Sequence, residues 1–419
     1  MNYGLIGEHL SHSFSKPIHE SFGQYTYELH EVARDHIDAF FQNKDFKAIN
    51  VTIPYKQIAY TYCDVLDKQA RSVGTSNCVV NKNGTLYGYN TDYDGIVYTL
   101  KKHHVDVHQK TVLILGKGGV AHAFYAVMKD LGAAEIQTVY YKPAEGTITY
   151  EEAYERYADA DILINATPVG MAGRKNVSPI DLSKLTNLSF VFDAIYNPLQ
   201  TVLIQQAKAA GIPAANGLTM LVVQAVKAAE HFLDRPVECD VQKIVDSLTQ
   251  QACNIVLIGM PSCGKSHIGH EVAKRLHRPW IDLDEKIEKE TGRRIAEIFS
   301  QDGETAFRDE ETKAACRAGL KTGQVISCGG GIIKRKENMD VLAQNGIILY
   351  IDRPLENLVR KDPRRPLLQN NSIEKLYYER KDLYEKYSDE TIHTHNQIQL
   401  GIQGCLDAYA DPNVWARLR

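Results

Sequence analysis

Short runs of β-branched and aliphatic residues alternate with helical stretches along the chain. YGLIG, KAINVTI, TVLILG, IQTVYY, DILINAT and FVFDAI read as strands in the first part, and NIVLIG, VISCGGG and GIILYID in the second. This alternation predicts the α/β class with mostly parallel sheets. One helical segment, QAVKAAEHFLDRPVECDVQKIVDSL, runs into the polar stretch TQQAC, and the strand NIVLIG starts at once. A domain boundary therefore falls near residue 250, with almost no linker. Towards the end, a KDPRRPLL loop precedes the charged helix SIEKLYYERKDLYEKY.

A length of 419 residues suggests two or three domains. A hydrophobic fraction of 44% and a charged fraction of 24% are ordinary for a globular chain. The net charge of −4 gives no basis for nucleic-acid or membrane binding. No run of 18 apolar residues occurs, and no basic segment precedes an apolar one at the N-terminus. The expected location is cytoplasmic. Cys63, Cys78, Cys239, Cys253, Cys263, Cys316, Cys328 and Cys405 form no C-x-x-C pair. Neither disulfides nor a zinc site is expected.

The stretch Gly259-Met-Pro-Ser-Cys-Gly264-Lys265-Ser266 fits G-x-x-x-x-G-K-[ST] completely, with a strand before it and a helix after. Glycines let backbone N–H groups turn around phosphate oxygens, and the helix N-terminus adds its positive end. Lys265 suits the β- and γ-phosphates of ATP, and the Ser266 hydroxyl suits Mg²⁺. Asp282 and Asp284 stand two apart at a predicted strand end, where alternate side chains point the same way. One carboxylate can serve the metal and the other an acceptor hydroxyl. Arg308, the glycines 329–331, Arg365 and Arg380 follow. Taken singly, each arginine reads as a solvated surface group.

Taken together, the phosphate loop, D-x-D, G-E-x-x-F-R-x-x-E, G-G-G, R-P-L-L and Y-x-x-R resemble shikimate kinase over residues 253–419. The resemblance implies that Asp284 orients, and takes the proton from, the acceptor hydroxyl. It implies that Arg308 and Arg380 clamp the acceptor's carboxylate, with backbone donors from the triple glycine around Gly330. Forked guanidiniums suit a planar carboxylate. Asp282 would hold Mg²⁺ through water, with Ser266, and Arg365 would sit on a mobile lid and neutralise the transferring phosphoryl group. The family packs adenine near Thr391–Gln397, where no contact can be assigned.

The first part opens with HSFSKP, in which Ser13 and Ser15 precede Pro17. Alone, such hydroxyls read as turn or cap residues. Then come NVTIPYK with Thr52 and Lys56, SN with Asn77, and GYNTD with Asn90 and Asp92. Gly116-Lys117-Gly118-Gly119-Val-Ala121 follows the strand TVLIL. A tight turn would explain such a glycine loop by itself; the strand–turn–helix setting favours a dinucleotide loop. With NATPVGM, DAIYNPLQT and NGLTMLVVQA, the set resembles shikimate dehydrogenase over about 1–248.

That resemblance implies hydride transfer from NADPH to the ketone of 3-dehydroshikimate. Lys56 would be the acid/base, paired with Asp92, and Ser13, Ser15, Thr52, Asn77 and Gln224 would complete a polar cage. Gly116, Gly118 and Gly119 would carry the cofactor's pyrophosphate, and Met220 would pack near the nicotinamide. After the second strand of the dinucleotide unit stand Tyr141 and Lys142 rather than a carboxylate, which favours NADP over NAD. Tyr141-Lys142-Pro143 departs from the family's N-R-T. Two further departures are Lys117, where the family favours a small residue, and Thr219, where it favours glycine.

The expected architecture is a two-lobed dehydrogenase followed by a P-loop kinase domain with a parallel sheet. Residues 1–94 and 215–248 would form the substrate lobe, 95–214 a Rossmann-like NADP lobe and 252–419 the kinase. The expected function is two consecutive steps: reduction to shikimate, then phosphorylation of its 3-hydroxyl. The rival is an active kinase fused to a non-catalytic, ligand-binding module, supported by Tyr141-Lys142-Pro143 and Thr219. Action of the oxidoreductase on quinate is a third reading, weakly disfavoured by the Ser13/Ser15 pair. Nothing in the sequence sets an oligomeric state.

Overall fold

The structure, a computed structural model, describes residues 1–10, 14–358 and 372–418. Ser13 and Arg365 lie outside the described residues. The chain divides into two compact units: Met1–Tyr196 with Thr201–Val245, and Asn197–Gln200 with Asp246–Arg419.

The first unit contains two sheets. One is built from β1 (Tyr3–Gly7), β2 (Glu28–Glu31), β3 (Ala48–Val51), β4 (Val65–Leu66), β5 (Cys78–Lys82) and β6 (Thr85–Tyr89), in the order β2-β1-β3-β5-β6-β4. It is mixed rather than parallel, because β5 runs antiparallel to both β3 and β6. The cause is local. Asn83 and Gly84 both take positive φ (53° and 89°), the two-residue turn that matches the twist of a hairpin. The Asn81 side chain accepts from the Gly84 N–H at 2.8 Å and fixes that turn.

The other sheet comprises β7 (Thr111–Leu115), β8 (Glu135–Val139), β9 (Ile162–Asn165), β10 (Phe190–Asp193) and β11 (Ala214–Ala215), in the order β11-β10-β9-β7-β8, all parallel. Alternation along β7 sends Val112 and Ile114 into one core with Phe124 and Phe192, and Leu113 and Leu115 into another with Val191 and Leu203. Both faces are covered, as an all-parallel sheet requires. The helix Leu218–Leu233 packs against Thr91–Lys102. Gly95 permits the approach: a Cβ there would stand 2.6 Å from the Met220 carbonyl oxygen. Further along the same helix, Ala228 and Phe232 join the core of the first sheet with Leu5 and Val80. One helix thus ties both sheets of this unit together.

The second unit has one parallel sheet of β12 (Asn254–Ile258), β13 (Trp280–Asp282), β14 (Val325–Ser327), β15 (Gly346–Asp352) and β16 (Glu390–His393), in the order β13-β14-β12-β15-β16. Every residue of β12 is buried, which places the loop after it at the sheet's centre. That is where the strand order reverses, the usual position for a ligand cleft in an open α/β sheet. The helical segment Ile295–Gly319 breaks at Gly303 (φ 84°, ψ 174°), and Arg308 lies on its second part. Among the described residues, no helix is long and apolar enough to cross a membrane.

Candidate active sites

In the first unit, Lys56 begins the helix Lys56–Tyr62, and Asp92 lies in the first turn of Thr91–Lys102. Asn90 caps the latter helix by accepting from the Tyr93 N–H. A carboxylate in a first turn is favoured by the helix's positive end. The Lys56 Nζ donates to Asp92 Oδ2 at 2.5 Å, with 11% of the lysine side chain and 2% of the aspartate side chain exposed. The pair is buried, yet the cation keeps a narrow opening.

Around it, the Asn77 side-chain oxygen accepts from the Thr91 N–H at 2.8 Å, and its amide donates to Gln224 at 3.3 Å. Asn90 donates to the Thr75 carbonyl and hydroxyl at 2.9 and 3.0 Å. Thr52, half-buried, follows the end of β3, and Ser15, half-buried, begins the helix Ser15–Ser21. Lys56, Asp92, Asn77 and Gln224 are therefore joined through hydrogen bonds or the shared turn at Thr91–Asp92.

The glycine loop leaves β7 at Gly116 (φ 105°), whose N–H donates to Val139 at the end of β8. Gly118 precedes the helix Gly119–Asp130 and offers no side-chain cap, so the first N–H groups of that helix face outward from a bare turn. A Cβ on Gly119 would lie 3.6 Å from the Lys56 Cδ. The glycine loop and Lys56 are thus neighbours. Lys142 is exposed, with its Nζ 5.1 Å from the centre of the Tyr141 ring. Met220 is buried. Thr219 does not simply crowd the site: its hydroxyl accepts from Lys102 Nζ at 3.2 Å. Asp193, fully buried at the end of β10, has a carboxyl pushed up to about 7 by desolvation, against donors on Thr201, Ile195 and Asn165.

In the second unit, Lys265 and Ser266 open the helix Lys265–Leu276, with Gly264 (φ 104°) as its cap. The buried Lys265 Nζ donates to the Gly259 and Met260 carbonyls, both at 2.9 Å. The Ser266 hydroxyl donates to Asp282 Oδ2 at 2.6 Å. Asp282 ends β13 and caps the helix Leu283–Thr291, accepting from the Asp284 and Glu285 N–H groups at 3.0 and 3.4 Å. This corrects the strand-alternation argument for the aspartates. Asp284 is a helical residue, and the two carboxylates are related by a cap rather than by a pleat.

Arg308 is buried and bridged by two carboxylates. Its Nη1 donates to Glu311 at 2.7 Å, while Nε and Nη2 donate to one oxygen of Glu304 at 3.2 and 3.1 Å. Glu304 also accepts from Lys334 at 2.8 Å, a bond that holds its carboxyl below the usual range, with Arg308 contributing. Burial pushes the Glu311 carboxyl up in spite of Arg308. A cavity of about 260 Å³ is lined by Glu304, Thr305, Arg308, Lys334 and Arg335.

The triple glycine is required by contact. A Cβ on Gly331 would stand 2.2 Å from Arg308 Nη2, and one on Gly329 would stand 2.6 Å from Asp284 Oδ1. The Gly330 carbonyl accepts from Arg380 Nη1 at 2.9 Å and from the Tyr384 hydroxyl. Asp284, Arg308 and Arg380 thus converge on residues 329–331, by close approach at the outer two glycines and by a hydrogen bond at the middle one. Lys334 and Tyr384 are residues that sequence reasoning passed over, and Glu304 and Glu311 stood in the G-E-x-x-F-R-x-x-E motif without a role of their own. The signal was present: Glu304 and Glu311 lie four before and three after Arg308, and Tyr384 lies four after Arg380, all helical neighbours.

A family model for the shikimate dehydrogenase substrate-binding domain matches residues 5–79, and one for shikimate kinase matches residues 261–409. The NADP-dependent shikimate dehydrogenase of Clostridium beijerinckii is 34% identical over 243 residues, covering 54% of this chain and 90% of that relative. A crystal structure of shikimate dehydrogenase 1 from Peptoclostridium difficile superposes with a TM-score of 0.55 at 32% identity, covering 59% of this chain and 98% of that one. The Thermus thermophilus shikimate 5-dehydrogenase in complex with NADP(H) and shikimate superposes at 0.53 and 25% identity, covering 59% and 98%.

Proposed function

We propose specific residue roles for a chain that belongs to the shikimate dehydrogenase family and carries a shikimate kinase domain behind it. It is a bifunctional enzyme of the shikimate pathway. It reduces 3-dehydroshikimate to shikimate with NADPH and phosphorylates shikimate to shikimate 3-phosphate with ATP.

NADPH supplies the hydride, and ATP the phosphoryl group. In the reduction, Lys56 gives its proton to the ketone oxygen as the carbonyl carbon accepts hydride, and regains one from solvent. Asp92 accepts from the lysine and so aims it, and takes a substrate hydroxyl as an acceptor. Asn77 and Gln224, with Ser13, Ser15 and Thr52, position the remaining hydroxyls and the carboxylate. The observation that supports this reading is the buried Lys56–Asp92 pair beside the Gly119 turn, a position suited to a proton donor for a nicotinamide held by that loop.

In the phosphorylation, Asp284 orients the acceptor hydroxyl, and Arg308 and Arg380 bind the acceptor's carboxylate on the glycine floor. Lys265 exchanges its loop carbonyls for phosphate oxygens. The Ser266 and Asp282 oxygens stand 2.6 Å apart, and a hard ion that keeps several of its waters suits Ser266 directly and Asp282 through water. They would hold that ion, which neutralises phosphate charge. Arg365 keeps the lid role that the family resemblance implies.

NADP-dependent oxidation of shikimate by the purified chain tests the first half. NADPH formation supports it. No NADPH formation, with phosphorylation intact, would instead favour a non-catalytic dehydrogenase-like module. Comparing kcat/KM for shikimate and quinate fixes the acid, and shikimate is the expected preference.

A further inference from the structure

We propose that Lys117, from within the glycine loop, is a second contact for the 2′-phosphate of NADP and acts on it together with Lys142. The inference rests on the NADP-dependent reading above and adds a specificity-determining residue to it. Three observations place Lys117 there. β7 and β8 are parallel neighbours in register from Thr111–Glu135 to Leu115–Val139, so the loops after them emerge side by side. The Gly116 N–H is hydrogen-bonded to Val139, which fixes the root of the glycine loop against the end of β8. From that root, the Lys117 side chain does not turn back towards the helix Gly119–Asp130. It crosses to the other loop, and its Nζ donates to the Glu145 carbonyl at 3.3 Å.

In a dinucleotide-binding unit the adenosine ribose lies over this pair of strand ends, and its 2′ position faces the end of the second strand. A cation that served the pyrophosphate would lie at the helix N-terminus instead. Lys117 and Lys142 are both exposed, so either can move onto a dianion without breaking a core contact. The loop 140–146 carries one carboxylate, Glu145, whose main-chain oxygen already accepts from Lys117. Among the described residues, neither ammonium has a carboxylate partner: Lys142 stands over the Tyr141 ring and Lys117 on a carbonyl. Two lysines from adjacent loops then do what the family's single N-R-T arginine does from one. This accounts together for two of the sequence's departures, Lys117 and Tyr141-Lys142-Pro143.

The test is steady-state oxidation of shikimate by the full chain with NADP and with NAD, for the parent, Lys117→Ala, Lys117→Arg and Lys142→Ala. A charged hydrogen bond of the ordinary size corresponds to about a tenfold change. Lys117→Ala should raise KM for NADP about tenfold more than KM for NAD, and Lys117→Arg should restore it. The selectivity loss should shrink as salt is raised, since the contact is exposed. Equal increases in both KM values would make Lys117 a pyrophosphate contact, and no increase would make it a surface lysine; either result overturns the proposal. Shikimate phosphorylation by each variant checks that the chain is folded. A parent chain that forms no NADPH or NADH would refute the dehydrogenase reading itself, a result distinct from lost selectivity in Lys117→Ala.

Discussion

The Lys56 ammonium and the Asp92 carboxylate meet at 2.5 Å although they are 36 positions apart and belong to different helices. Each sits at a helix start, and Asp92 is almost fully buried. The pair is therefore built by the fold around one point rather than by a flexible surface contact. Asp92→Asn removes the charge but keeps the shape. We expect kcat for shikimate oxidation to fall by about 10²-fold or more, the scale of general acid–base catalysis, with phosphorylation unchanged. Parallel assays of the two activities check this.

Arg308 and Glu311 form the corresponding buried pair of the second unit, with 7% and 1% of their side chains exposed. Removing one partner strands the other's charge in a dry site, which typically costs about 3–5 kcal/mol. Arg308→Ala should thus both abolish tight shikimate binding by the kinase and lower the thermal midpoint of that unit. Glu311→Gln, which leaves a neutral acceptor, should destabilise less. Calorimetry with kinase KM measurements separates the two effects.

Ser266 and Asp282 should act together on the metal. Ser266→Ala removes one of two neighbouring oxygen donors and should raise the Mg²⁺ concentration needed for half-maximal kinase activity several-fold. NADP-dependent oxidation should not respond to Mg²⁺ at all. Titrating Mg²⁺ against both activities checks the assignment.

His19 gives a pH dependence with a definite sign. It is buried and stacked on Tyr27 with ring centres 4.0 Å apart. Desolvation holds its pKa down at about 3, against a hydrogen bond with Asn50 that raises it. In the unfolded chain a histidine titrates near 6.5. Below about 6.5 the unfolded state therefore binds a proton that the folded state refuses. Stability is fully present above that value and falls as pH drops towards about 3. Denaturation midpoints of the first unit at pH 7 and pH 5 should differ in that direction. His19→Phe, which keeps the stacking, should flatten the difference.

Much of the fold was legible because parallel strands write themselves as continuous apolar runs, and β7 and β12 are both of that kind. The hairpin of β5 and β6 was missed although Asn83-Gly84 announces it, since attention to apolar runs passes over a two-residue turn. The phosphate loop and the glycine loop were readable because their chemistry is local. The glutamates beside Arg308 were visible within its motif, but not that they bridge it, because glutamates at helical spacing normally read as a solvated face. The Lys102–Thr219 bond spans 117 positions, a relation that only the packed helices create. The aspartates were found for a reason that the structure replaces: a cap at Asp282, not a strand pleat, sets their geometry.

The central claim is that one chain performs both steps. Lys265→Ala should stop phosphorylation and leave reduction, and Lys56→Ala should do the reverse. The most direct measurement supplies the purified chain with 3-dehydroshikimate, NADPH, ATP and Mg²⁺ and follows the products by mass spectrometry. The account predicts shikimate 3-phosphate, with one NADPH oxidised and one ATP consumed per molecule formed, and accumulation of shikimate when Lys265 is alanine. Unchanged 3-dehydroshikimate and NADPH, from a chain that still phosphorylates added shikimate, would contradict it.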